Sequence, residues 1–91
     1  MSTLTAGAEI GIPCDVKQGP FEDEKLVSFD TMDGPVTGFV SANELKQIED
    51  RWVIRAVVMS QEGDVVTVRV HGSFFTTNGL ATIRREMAMA A

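Results

Sequence analysis

The stretch RVHGSFFTTNG, residues 69–79, gathers residue types on which chemistry is often built: His71, the single histidine of the chain, the Ser73 hydroxyl and Arg69. An imidazole near a hydroxyl is the beginning of a nucleophilic pair. The rest of such machinery is missing from the sequence, which has no Gly-x-Ser-x-Gly elbow and no glycine loop that would cradle a phosphate. Paired carboxylates such as Glu22 and Glu24 stand in FEDEK, which reads as a solvated loop and not as acid–base apparatus. One histidine and one cysteine, Cys14, fall short of the four ligands of a zinc site. DTMDG lacks the ligand spacing and terminal glutamate of a calcium loop. The expectation is a non-enzymatic protein with no catalytic residue, no metal and no cofactor.

Recognition needs less apparatus. Arginines and aromatic rings are the usual anchors of protein interfaces, and residues 53–75 offer Arg55, Val57, Met59, Arg69, His71 and Phe75 as partner-binding candidates. Neighbours on a strand point to opposite faces. Phe74 therefore goes inward with Val70, and Phe75 goes outward with Arg69 and His71. His71 reads as a strand-surface residue whose charge is available to tune binding near neutral pH.

These side chains need strands to position them. KLVSFDTM, PVTGFVS, RWVIRAVVMS, VVTVRVHG and LATIRR are short and rich in β-branched and aromatic residues, with DG, EGD and NG between or after them. A three-residue loop, Gln61-Glu62-Gly63, would join the third and fourth with Gly63 in a left-handed bulge. That register puts Trp52, Ile54, Ala56 and Val58 on one face with Val66, Val68 and Val70. The outer face then carries Val53, Arg55, Val57, Met59, Val65, Thr67, Arg69 and His71. Arg55 stands directly opposite Arg69, a mildly destabilising pair that calls for an anion above it. The anion is either the chain's own acidic first half, such as Glu22 to Glu24, or a partner's carboxylate or phosphate.

EIGIPCDVK alternates Ile10, Ile12, Cys14 and Val16 and suits an edge strand, with Pro13 on the other side. SANELKQIEDR is the best helical candidate, with Ser41 as cap and Glu44 three residues on. The final REMAMAA either frays or docks over Phe75. VSFDTMDGPVTGFV and VVMSQEGDVVTVRV, thirty residues apart, read as two hairpins of similar build, the register of the first left open by Pro35. GFVSANEL, Gly38 to Leu45, resembles the Gly-aromatic-Val then Leu step of bacterial SH3-like domains, with Phe39 where those domains usually carry Trp. The resemblance implies a small barrel. The expected fold is all-β: one SH3-like partly open barrel of five to six strands over residues 9–85 with one short helical turn, preceded by a flexible 1–8 and followed by a tail over 86–91.

A chain of 91 residues carrying 44% hydrophobic and 23% charged residues is an ordinary single globule. No apolar run reaches the length of a membrane span and the N-terminal residues lack signal-peptide character, so a cytoplasmic protein is expected, in keeping with a lone thiol. The net charge of −5 opposes nucleic-acid binding. It is unevenly spread: residues 1–50 hold ten acids and three lysines, residues 51–91 five arginines and three acids. The expected function is protein–protein interaction through the outer face of the 51–75 hairpin, with a partner bearing an acidic or anionic patch. A small-barrel nucleic-acid binder and a structural homo-oligomer, a homodimer for example, are the alternatives.

Overall fold

A computed structural model of the chain describes residues 4–19, 22–71, 73–74 and 79–90. In chain order the strands are β1 (Glu9–Pro13), β2 (Asp15–Gln18), β3 (Glu24–Thr31), β4 (Gly34–Ser41), β5 (Leu45–Ile48), β6 (Arg51–Glu62), β7 (Val65–Val70), β8 (Ser73–Phe74), β9 (Leu80–Arg84) and β10 (Met89–Ala90). All pairings among them are antiparallel. One sheet runs β10-β1-β6-β7-β9, with β5 alongside the first residues of β6, and the other runs β2-β3-β4-β8. Two 3-10 turns, Ala42–Glu44 and Arg85–Met87, complete the described elements, which include no α-helix and no closed barrel.

The all-β expectation holds, and the five strands read from the sequence are β3, β4, β6, β7 and β9. The count of five to six strands with one helical turn does not. EIGIPCDVK breaks at Cys14 into β1 and β2, one strand for each sheet. Nor is β1 an edge, because the C-terminal residues Met89 and Ala90 pair with Gly11 and Ile10. SANELKQIEDR makes only one 3-10 turn, where the Ser41 hydroxyl accepts from the Asn43 amide at 3.4 Å. It then becomes β5 and turns back through Glu49 and Asp50, both at positive φ (50° and 67°), the signature of a type I′ hairpin turn.

The inner faces of the two sheets share one core. Ile12, Ile54, Val58, Val66, Val68 and Ile83 of the larger sheet and Val27 of the smaller are fully buried, each worth roughly 1.5–3 kcal/mol. Alternation accounts for the pattern: Ile54, Ala56 and Val58 on β6 meet Val66, Val68 and Val70 on β7 and Ala81 and Ile83 on β9. Trp52 and Val53 reverse the expected assignment. Trp52, at the start of β6, is exposed, whereas Val53 on the outer face is buried. Gly11 supplies the room: a Cβ there would come within 2.9 Å of Val53 Cγ2.

The β6–β7 turn also differs from the expected three-residue loop. Glu62 pairs with Val65, so Gly63 and Asp64 form a two-residue loop, with Gly63 at φ 57°. That closure sets Val66 opposite Gln61 and Thr67 opposite Ser60 and, continued without a break, would turn the valine face of β7 against the wrong side of β6. A bulge at Met59, between Val58 and Ser60, restores the match, and Val58 then pairs with Val68.

Candidate functional site

The outer face of β6, β7 and β9 is built from the residues that the inward alternation leaves over. The register sets them in rows across the sheet. Glu9, Val57, Arg69 and Leu80 form one row, since Glu9 pairs with Val57, Val57 with Arg69 and Arg69 with Leu80. Thr67 and Thr82 form the next, and Val65 and Arg84 the one beyond. Arg69 and Leu80 are exposed and Val57 and Val65 half-buried.

Arg55 does not stand opposite Arg69, as the sequence reading had it; Val57 does. The two-residue turn and the bulge together slide β7 by two residues along β6, preserving each face while changing every partner. The acid over Arg55 belongs to the chain's first half, but it is Glu9 and not the 22–24 segment. The Arg55 guanidinium donates to Glu9 Oε1. That hydrogen bond and the carboxylate's charge raise the arginine's pKa above its ordinary value, so it stays a cation. Arg69 forms no ion pair with any described residue.

Among the remaining predicted residues, Met59 occupies the bulge and is exposed, and His71 is exposed just past the end of β7. Phe75 lies outside the described residues, as does the expectation placed on the Phe74 side chain. Sequence reasoning missed Glu9 and Leu80. Both were available from parity, because Ile10, Ile12, Ala81 and Ile83 point inward and their immediate neighbours therefore point out.

Where β1 gives way to β2, a cleft of about 500 Å³ is bordered by Cys14, Asp15, Asp30, Arg51 and Glu86. Burial, reinforced by the charge of Asp15 and opposed by that of Arg51, pushes the Cys14 thiol up to about 11. A thiol held neutral at physiological pH is a poor nucleophile and a poor metal ligand. Among the described residues no three His, Cys, Asp or Glu side chains come together as a metal set.

Comparison with known proteins finds no family model that matches the chain. Neither a curated protein nor a solved structure matches it.

Proposed function

We propose that this protein is a non-enzymatic interaction module that binds a partner protein through the outer face of β6, β7 and β9. One observation carries the reading: Arg69, without an ion pair among the described residues, sits on an exposed sheet face between Val57 and Leu80. Strand neighbours are about 4.8 Å apart, so the three side chains form one continuous contact. Exposed Met59 extends its apolar character. An arginine set among apolar side chains has the composition of an interface hot spot. The small SH3-like barrel reading fits alongside. The residues behind that resemblance run from β4 through the Ala42–Glu44 turn into β5, and the Met32 amide donates to the Thr82 carbonyl at 2.8 Å, drawing the tip of the β3–β4 hairpin against β9.

Affinity capture from nuclease-treated lysate tests the proposal, comparing wild type with a folded Arg69→Glu, Leu80→Ser variant. The expected result is a protein retained by the wild type at physiological salt and lost by the variant, since truncating a hot spot typically costs about 2 kcal/mol or more. Equal retention by both overturns the choice of face. Retained nucleic acid in an untreated lysate, released steeply by salt, overturns the class of partner. Concentration-dependent sedimentation with nothing retained replaces the partner by a second copy.

A further inference from the structure

We infer that the segment recognised by this face carries one carboxylate between two apolar side chains, the carboxylate on Arg69 and the apolar groups on Val57 and Leu80; this rests on the interaction reading above. Arg55, Arg84 and Arg69, on the outer faces of β6, β9 and β7, are not equivalent. Arg55 is bound by Glu9. Arg84 forms no ion pair among the described residues either, but it borders a depression whose rim also carries the acids Asp30 and Glu86. Arg69 differs from both. Its partners across the strands are Val57 and Leu80, its same-face neighbour along β7 is Thr67, and His71 is exposed just past the strand's end. The acid in its own row is Glu9, two strands away and engaged with Arg55.

A guanidinium flanked by apolar groups favours a planar carboxylate that it can hold bidentately, in a setting that excludes water. The net charge of the chain limits how acidic the partner can be. At −5 the protein repels a run of acids or a polyphosphate, and a single arginine offers too little counterion release to overcome that. One carboxylate in an apolar context satisfies both constraints, because the apolar contacts supply affinity that net charge does not oppose.

The probe is a random peptide library displayed on phage, panned against the full chain and counter-selected on a Leu80→Lys variant with an unchanged thermal midpoint. Expected are face-dependent peptides that share an Asp or Glu flanked by apolar residues. Their binding should weaken about tenfold or more in Arg69→Gln, and likewise when the peptide's acid is changed to its amide. Face-dependent peptides lacking a shared acid, or indifferent to Arg69→Gln, would overturn the carboxylate while leaving the face intact. A library yielding no face-dependent peptide would count against the face itself, and the inference would fall with it.

Discussion

The β3–β4 and β6–β7 hairpins start from similar sequence and end with different surfaces. Val27, Val36, Thr37 and Val40 of the first recur thirty positions on as Val57, Val66, Thr67 and Val70. In the first hairpin the pairing runs unbroken over eight pairs from Thr31↔Gly34 to Glu24↔Ser41. Met32 and Asp33 form its loop and Gly34, at φ 107°, follows them. In the second the glycine comes one position earlier in the sequence, as the first loop residue, and a bulge at Met59 interrupts the pairing. The consequence is local and functional. Val27 pairs with Gly38 and is buried, whereas its counterpart Val57 pairs with Arg69 on the outer face. Both hairpins close with two-residue loops, so it is the bulge at Met59 that turns the counterpart of a core valine into part of a candidate binding surface.

Truncating the two valines should separate the hairpins most clearly. Val27→Ala should cost about 2–3 kcal/mol in urea denaturation, from lost burial plus a cavity. Val57→Ala should cost about 1 kcal/mol or less, because its side chain is only half-buried. Equal losses would mean that the hairpins bury their valines alike. The turns give the next largest effect. Gly63 lies in the left-handed region that Asn tolerates, and a Cβ there meets nothing within 4 Å, so Gly63→Asn should cost only a few tenths of a kcal/mol. Gly34→Asn should cost about 1–2 kcal/mol, because φ 107° lies beyond that region. The same denaturation curves rank the two.

Face alternation was legible in the sequence because a period of two survives almost any turn. Ile54, Ala56, Val58, Val66, Val68 and Val70 were assigned inward correctly even though the loop was not. Which residue faces which was not legible. A bulge decouples turn closure from face parity, and nothing about Met59 announces one. The Glu9–Arg55 pair was hidden for a different reason, since it depends on β1 lying beside β6, a matter of sheet order and not of local pattern. β5 was masked by a local signal that is real but short. Ser41 does cap a turn, and the Glu49-Asp50 reversal has no glycine or asparagine to mark it.

That reversal supplies a smaller test. Placing Asn at 49 and Gly at 50, the favoured pair for a type I′ turn, should raise stability by about 0.5–1 kcal/mol, read as a shift in the denaturation midpoint. No gain would mean that the turn is of another type. Smallest in energetic terms, but specific, is the response of Cys14. Its alkylation by iodoacetamide should rise with pH about a midpoint near 11, above the ordinary 9.0 for a thiol. The sign follows from burial. The folded state holds the proton more tightly than the unfolded one, so the thiol's contribution to stability is complete below pH 9 and declines as pH rises toward 11. A midpoint at the ordinary value would place the thiol in open water.

The central claim, that the outer face of β6, β7 and β9 is the binding face, is met most directly by hydroxyl-radical footprinting of the protein with a captured partner. Met59 and Leu80 are 42% and 44% exposed, and Trp52, at the other end of β6, is 42% exposed, so none of the three starts out sheltered. The complex should protect Met59 and Leu80 and leave Trp52 oxidised as in the free protein. Protection of Trp52 with Met59 and Leu80 unchanged would contradict the assignment and move the interface away from Arg69.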